Sequence, residues 1–249
     1  MKPVGLQVKP SLLMVEQPLD KRYYVNYIYQ MLQLQQQLND ATNGEEWEKG
    51  ITKNGKEINW RRCIYMESAE LIESYPWKHW KSITAPADIA NAQIEVVDIW
   101  HFVMSLALED YKINLRGDIG YLSNEIEKIE TLQLLKAHVA INEVHKEVIV
   151  NIEDMLRATF AHKNSLKIME KFFVIASDVG LSLEELYKLY IGKNILNQFR
   201  QDHGYKSGEY IKIWNDQEDN EVMRTILDKN AHISPELLYS ELKAIYVTL

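Results

Sequence analysis

Residues 92–108 read AQIEVVDIWHFVMSLAL and form the most informative segment of the chain. The charged residues in it are Glu95 and Asp98, and apolar side chains surround both carboxylates on every face of a helix. A helix that is apolar all round is a buried helix. Because an ionised carboxylate is very costly to bury alone, these two acids must be paired, neutralised or bound to a metal ion.

A second pair of acids with the same spacing lies about one helix earlier in the chain. Glu67 and Glu70 occur in the apolar segment CIYMESAELIES, and residues three apart share one face of a helix. Mg²⁺ prefers oxygen ligands and keeps some of its waters. The two pairs, Glu67/Glu70 and Glu95/Asp98, therefore predict a site on two adjacent helices for divalent cations that clamp a triphosphate and activate water. An isolated ExxE is also common on exposed helices, so the prediction depends mainly on Glu95 and Asp98.

His101 follows Asp98 by three residues, which leaves a redox alternative open. Ferritin-like di-iron proteins use a Glu-x-x-His motif on each of two bundle helices. Here Glu67 is followed three residues later by Glu70, and a lone histidine on an apolar helix is more often a hydrogen-bonded core residue. A di-iron oxidoreductase is therefore a minor alternative, and a non-catalytic helical interaction module is another.

The composition favours a helical protein that binds neither duplex nucleic acid nor a membrane. The chain has 249 residues, of which 46% are hydrophobic, and it contains 10 glycines and 6 prolines. Few β-branched runs alternate with a period of two, so we expect an all-α fold. The net charge is −8 without a basic stripe, which argues against nucleic acid as a partner. Leu12–Val15 is too short for a secretory signal, so a cytoplasmic location is predicted.

Glycine, proline and capping residues divide the chain into an N-terminal arm, 1–20, and a single domain, 21–249. The segment 112–180 is the variable part of that domain, and 112–165 is rich in Glu, Lys and Leu, which predicts one or two amphipathic helices there. The other predicted helices cover 21–41, 60–74, 88–110, 167–179 and 183–203, with one or two more within 219–247.

Two sets of polar side chains suggest ligand contacts. Lys193, Asn197 and Arg200 share one face of a helix, which suits phosphate oxygens, although by spacing alone an exposed face is the better interpretation. Lys206 follows in a turn bounded by glycines. The second set is Gln35 and Asn39 on the first helix, whose side-chain amides could bind the edge of a pyrimidine base through paired donor and acceptor contacts. The alternative is that both amides are exposed on a Gln-rich helix.

Several blocks together resemble the dimeric all-α dUTPases, which belong to the all-α nucleoside triphosphate pyrophosphatases with their ExxE…ExxD signature. The resemblance is closest to members from Campylobacter-like bacteria and covers roughly 30–110 and 185–228. The blocks that carry it are LQLQQQLND, INWRRCIYMESAELIES, WKHWK, IEVVDIWHF and GKNILNQFRQDHGYKSGEYIKIWNDQEDN.

The resemblance implies a helical bundle that forms a homodimer and hydrolyses dUTP and dUDP to dUMP. Such an activity limits uracil incorporation into DNA and supplies dUMP. It also implies two or more Mg²⁺ ions held by the four acids, with Glu67 or Glu70 orienting or deprotonating a water that attacks the β-phosphorus. A pyrophosphatase for another nucleotide, such as dCTP, is the alternative within this superfamily.

The resemblance also assigns roles to the polar and aromatic residues. It places Lys193, Asn197, Arg200 and Lys206 near the phosphates, and Gln35 and Asn39 at the uracil. The residues that would wall the base or sugar are Trp77, Trp80, His101 and Phe102.

Overall fold

The computed structural model describes residues 26–81, 85–137, 139–161, 164–230 and 233–248. Within these ranges the chain forms ten α-helices, two 3₁₀ helices at Trp47–Lys49 and Tyr205–Ser207, and one small antiparallel sheet. The expected all-α fold is confirmed. The helices are α1 (Tyr27–Asn43), α2 (Trp60–Glu73), α3 (Ile89–Ile113), α4 (Ile119–Glu127), α5 (Leu132–Lys136), α6 (His145–Ala161), α7 (Ser165–Asp178), α8 (Leu183–Asp202), α9 (Asp219–Lys229) and α10 (Pro235–Tyr246). The strands are β1 (Ile213–Trp214) and β2 (Gln217–Glu218), with Ile213 opposite Glu218 and Trp214 opposite Gln217.

Side-chain caps set the start of the helices that carry the polar residues of interest. Asn59 accepts a hydrogen bond from the Arg62 amide at the start of α2, and Asp88 accepts one from the Asn91 amide at the start of α3. Ser182 and Glu185 form the capping box predicted for α8. These caps satisfy backbone amides that have no partner inside the helix, and they fix where each helix begins.

The helix α3 lies at the centre of the core, as its composition predicts. It packs against α1, α2, α7 and α8. Trp100 on α3 is fully buried, stacks on Phe172 of α7 at a centroid distance of 4.8 Å, and donates its indole N–H to the Met31 sulfur of α1. The acid-bearing helices α2 and α3 are direct neighbours, so the two carboxylate pairs face a common region.

The variable segment contains more helices than the sequence suggested. Three helices, α4, α5 and α6, occupy the region for which one or two were expected. The amphipathic composition is continuous there, but Asp118 caps a new helix and Gly117 precedes it with a φ of 149°. Local caps thus divide a segment that composition alone does not divide.

Two further predictions concern the ends of the chain. The N-terminal arm, 1–20, and the first residues of the helix expected over 21–41 lie outside the described residues, and α1 is described from Tyr27 onward. One cluster of buried apolar side chains extends from Ile28 to Leu242. The single domain over 21–249 stays a prediction.

In the described part of the chain, no helix is both long and apolar enough to cross a membrane.

Candidate functional site

Three carboxylates from α2 and α3 converge at one point. Glu67, Glu95 and Asp98 each offer one oxygen atom, and these atoms all lie within 4.8 Å of one another. Glu95 is buried, whereas Glu67 and Asp98 are partly exposed toward a cavity of about 630 Å³. A group of hard oxygen donors at this separation is able to share a divalent cation.

The electrostatics of this three-acid group show that its negative charge is not fully balanced by the protein. Burial, with repulsion from Asp98 and Glu70 adding to it, raises the pKa of Glu67 to about 7. Burial raises the pKa of Glu95 to about 8, with the same carboxylates adding to the shift. Both side chains therefore retain protons near neutral pH unless positive charge is added, and an oxygen-donor set short of positive charge fits Mg²⁺.

Glu70 is the exception to the predicted burial of the acids. It lies on α2 one turn beyond Glu67 and lines the same cavity, but its side chain is exposed. Among the described residues, the group of acids close enough to share one ion comprises Glu67, Glu95 and Asp98 without Glu70. The i, i+3 spacing places both glutamates on one side of α2, but Glu70 lies at the mouth of the cavity rather than in its floor.

Lys193 on α8 supplies positive charge directly to the three-acid group. Its side chain is only 2% exposed, and its Nζ lies 2.8 Å from Asp98 Oδ2. It also donates a hydrogen bond of 2.9 Å to Asn220 Oδ1. The interpretation of the α8 stripe as an exposed face is therefore wrong for Lys193, because α8 packs against α3 with this residue inward.

Arg200, two turns further along α8, is held by a buried acid that the sequence analysis did not assign. Its Nε and Nη2 donate to the two carboxylate oxygens of Asp219 at 2.8 Å each, and Tyr210 donates its hydroxyl to Asp219 at 2.7 Å. Burial opposes ionisation of Asp219, but these donors outweigh it and hold the pKa of its carboxyl below its usual value. Asn197 accepts a hydrogen bond of 3.3 Å from Arg200 Nη1. The guanidinium is thereby fixed at the wall of the cavity.

Lys206 lies apart from these residues. Its side chain is exposed and donates to the Thr42 carbonyl oxygen at 3.1 Å. Lys206 is not among the described residues that line the cavity of the acids or a second cavity beside it. The geometry therefore brings Lys193, Asn197 and Arg200 together at the acids but leaves Lys206 at the rim.

A second cavity of about 380 Å³ adjoins the first. The two cavities share part of their wall, which is formed by Glu67, Asp98, Lys193, Arg200 and Tyr205. The rest of the second cavity is lined mainly by amides and rings from four helices, among them Gln35 and Asn39 of α1, Trp60 of α2, His101 and Phe102 of α3, and Asn197 of α8. One cleft thus has an acidic half and an amide–aromatic half.

The amides of Gln35 and Asn39, both on α1, are buried and belong to a hydrogen-bond network with Ser105 and His101. Gln35 is 2% exposed, and its Oε1 lies 2.7 Å from His101 Nδ1. Gln35 Nε2 donates to Asn39 Oδ1 at 3.2 Å and to Ser105 Oγ at 3.0 Å, and Asn39 Nδ2 donates to Ser105 Oγ at 3.0 Å. The interpretation of these amides as exposed groups on a Gln-rich helix is wrong, because this face of α1 packs against α3 and α8.

His101 is a neutral side chain of the amide–aromatic half. Burial lowers its pKa to about 4. Its Nε2 and the indole Nε1 of Trp60 are buried without a hydrogen-bond partner among the described residues. Buried polar atoms of this kind are rare and point to a ligand that completes them. Trp60 was missed by the sequence analysis; its stacking on Phe102, with centroids 6.1 Å apart, joins α2 to α3 and has no local signature.

Trp77 and Trp80 lie outside this cleft. They are 42% and 61% exposed, and their rings meet edge to face at 5.6 Å. Trp77 donates its indole N–H to Glu73, which lines the cavity of the acids, at 3.2 Å. Within the described residues of one chain, neither tryptophan lines either half of the cleft.

A family model described as dUTPase matches residues 27–205, which include the three-acid group, Lys193, Arg200 and the amide network. No curated protein matches the chain.

Proposed function

Because this chain belongs to the dUTPase family, we propose that it hydrolyses dUTP and dUDP to dUMP with Mg²⁺ held by the three-acid group. The family membership identifies it as a hydrolase, a dUTP diphosphatase, and excludes a non-catalytic interaction module. Among the described residues, the side chains that could share an ion are three carboxylates and no histidine. His101 Nδ1 is hydrogen-bonded to Gln35 instead, which disfavours the di-iron alternative.

The observation that carries the proposal is the position of the three acids at the junction of the two halves of the cleft. Glu67 and Asp98 line both cavities, so a nucleotide with its base in one half would extend its phosphates over them. Phosphates and carboxylates repel each other, and only bound cations allow both to occupy this position. The raised pKa values of Glu67 and Glu95 support the same conclusion, because burial and mutual repulsion disfavour the ionised carboxylates until a cation binds.

The residues present fit a divalent metal of the Mg²⁺ type. Glu67, Glu95 and Asp98 would hold it through carboxylate oxygens, which are its preferred ligands. When bound, Mg²⁺ neutralises charge on the phosphate oxygens and lowers the pKa of a coordinated water. The presence of two or more ions and attack at the β-phosphorus are parts of the proposal that the resemblance to dimeric all-α dUTPases suggests.

The cationic residues of α8 would orient the phosphate chain. The ammonium of Lys193 and the guanidinium of Arg200 both line the shared wall, and Asn197 lies beside Arg200. Because Asp219 holds the guanidinium in a fixed position, Arg200 is preorganised for an anion. We assign Lys206 to the outer end of the phosphate chain, which it would reach by releasing the Thr42 carbonyl.

Glu70 is the better candidate for orienting the attacking water. Glu67 belongs to the three-acid group, so one of its oxygens would be engaged by a bound ion. Glu70 lies one turn away at the mouth of the cavity, where water has access. A carboxylate that is free of the metal is able to accept a proton from water as that water attacks phosphorus.

The amide–aromatic half would bind the base. Asn39 and His101 offer polar atoms, and Phe102 and Trp60 offer ring surfaces, in a cavity large enough for a pyrimidine. The sequence-based assignment of Trp77 and Trp80 to the base or sugar wall requires movement of their loop or a second copy of the chain. The homodimer, which stays a prediction together with the cytoplasmic location, would supply that second copy.

Hydrolysis assays with nucleotide panels test the proposal. We expect rapid Mg²⁺-dependent conversion of dUTP to dUMP and pyrophosphate, slower or no conversion of UTP and dCTP, and no conversion with EDTA. Chromatography of the products distinguishes removal of pyrophosphate from removal of a single phosphate. Unchanged turnover in EDTA would overturn the assigned metal role, and preferred hydrolysis of dCTP would favour the alternative nucleotide.

A further inference from the structure

We propose that the buried hydroxyl of Ser105 determines nucleobase specificity, because it fixes the orientation of two side-chain amides so that the cavity accepts uracil and rejects cytosine. Ser105 contacts neither base nor metal in this account and acts as a positioning residue. The inference rests on the proposed function in one respect, namely that the amide–aromatic half of the cleft binds the pyrimidine.

The argument begins with the single proton of the serine hydroxyl. Ser105 is fully buried on α3, and its Oγ donates to the His101 carbonyl oxygen at 2.8 Å. With that proton committed, Oγ is able only to accept further hydrogen bonds. The two amide groups that meet it, from Gln35 and Asn39, lie at 3.0 Å each and must therefore present their NH₂ ends to it.

The orientation of Gln35 then fixes the tautomer of His101. With its NH₂ end toward Ser105, the carbonyl Oε1 of Gln35 faces His101 Nδ1 at 2.7 Å. A carbonyl oxygen only accepts, so Nδ1 carries the imidazole proton and Nε2 carries a lone pair. Tyr190 lies 3.2 Å from the same Oε1, but a hydroxyl both donates and accepts and so does not decide the orientation.

The result is a fixed pattern of polar atoms toward the cavity. His101 Nε2 is a buried acceptor with no partner among the described residues. Asn39 has used one N–H on Ser105 and one lone pair on Gln35, which leaves it a second N–H donor. Uracil offers the complement, a donor at N3 and an acceptor at O4. Cytosine offers the reverse, an acceptor at N3 and a donor amino group at C4.

Without the serine hydroxyl this pattern is no longer fixed. Each amide could rotate by a half-turn and exchange its NH₂ and carbonyl ends. Rotation of Gln35 would place NH₂ against His101 Nδ1 and move the imidazole proton to Nε2. The cavity would then present a donor where cytosine has its N3 acceptor, so the preference for uracil would fall.

The test compares variants of Ser105 by their selectivity. We expect Ser105→Ala and the nearly isosteric Ser105→Cys to lower the ratio of kcat/KM for dUTP to that for dCTP by about tenfold or more, since a mismatched buried hydrogen bond has an effect of this order. The value of kcat for dUTP should change much less than the ratio. Ser105→Thr keeps the hydroxyl and should retain the selectivity.

Ser68→Ala is the matched control. Ser68 is also fully buried, and its Oγ also donates to a carbonyl one turn earlier on its helix, that of Ile64. Its loss should leave the dUTP to dCTP ratio unchanged. If Ser105→Ala and Ser105→Cys fold but retain the full ratio, the inference is wrong. If the wild-type protein hydrolyses neither nucleotide, it is the proposed function that fails.

A measurement independent of activity separates these two failures. In protein with ¹⁵N-labelled histidine, the ring nitrogen shifts of His101, assigned with His101→Gln, should report the Nδ1–H tautomer, which is the minor form of an unperturbed neutral histidine side chain. Ser105→Ala should shift these resonances toward the Nε2–H tautomer, and Ser68→Ala should not. An Nε2–H tautomer in the wild type, or unchanged resonances in Ser105→Ala, would overturn the inference even if the enzyme is an active dUTPase.

Discussion

The two halves of the cleft satisfy their polar groups in opposite ways. In the acidic half, three carboxylates lie within 4.8 Å of one another, and burial with mutual repulsion raises the pKa of two of them. In the amide–aromatic half, Gln35 and Ser105 have their hydrogen bonds completed by neighbouring side chains and by the His101 carbonyl oxygen. The first half is thus incomplete until cations bind, whereas the second is organised before any ligand arrives.

The largest expected effect is the loss of activity when an acid of the three-acid group is neutralised. We expect Glu95→Gln to lower kcat/KM for dUTP by more than about a hundredfold, since even outer-shell partners of a metal contribute 10- to 100-fold. Glu109→Gln is the matched control, because Glu109 lies on the same helix and burial also raises its pKa, to about 7, outside the cleft. Equal losses of activity in the two variants would contradict the specific role assigned to the three-acid group.

The second prediction concerns stability without metal, and it separates two neighbouring acids. Glu95→Gln should raise the melting temperature in EDTA, because it removes a carboxylate that is buried among like charges. Asp98→Asn should lower the melting temperature, because it deprives the buried Lys193 of its anionic partner. The free energy of unfolding should fall by about 3 kcal/mol, the loss typical of a buried ion pair that keeps only one of its charges. Thermal denaturation in EDTA measures both, and a shift of the same sign in both variants would contradict the assigned pairing.

The third prediction is the pH dependence of the metal-free protein. The folded-state pKa of Glu95, about 8, lies above the ordinary glutamate pKa of 4.5, so the folded state binds more protons than the unfolded state between these values. Stability should therefore fall as pH rises from 7.5 to 8.5, a window in which His101, with its lowered pKa in the folded state, is largely neutral in both the folded and the unfolded state. Melting curves in EDTA should show a flatter dependence in Glu95→Gln than in the wild type. The same slope in both would rule out Glu95 as the titrating group.

The smallest effect is expected in the preorganised half. Trp60→Phe keeps a ring against Phe102 but removes the buried indole N–H, which has no partner among the described residues. We expect a KM for dUTP about fivefold higher with little change in kcat, the effect of one neutral hydrogen bond. Steady-state kinetics measures this. A hundredfold loss in kcat would mean that this half takes part in the chemistry rather than in binding.

Sequence patterns predicted what depends on local periodicity. The burial of α3, the capping box at Ser182 and the convergence of acids from α2 and α3 follow from apolar spacing and capping residues. The contacts that complete the site were not predictable in this way. Lys193 meets Asp98 and Arg200 meets Asp219 across long stretches of chain, and no local pattern records such pairs.

The polar residues of α1 and the aromatic loop show the same limit. A Gln-rich helix has no apolar stripe to indicate which amides are inward, so the burial of Gln35 became visible only once α1 packed on α3 and α8. Trp77 and Trp80 look like pocket residues by type, yet both are exposed. Glu70 lies three residues after Glu67 on the same side of α2, but it is exposed at the cavity mouth, whereas Glu67 is partly buried.

A crystal structure of the protein with Mg²⁺ and a non-hydrolysable dUTP analogue tests the central claim most directly. We predict Mg²⁺ bound by Glu67, Glu95 and Asp98, with the uracil ring in the cavity between Asn39 and Phe102. An ion bound elsewhere, or a base seated outside that cavity while these three carboxylates keep only one another as neighbours, would contradict the account.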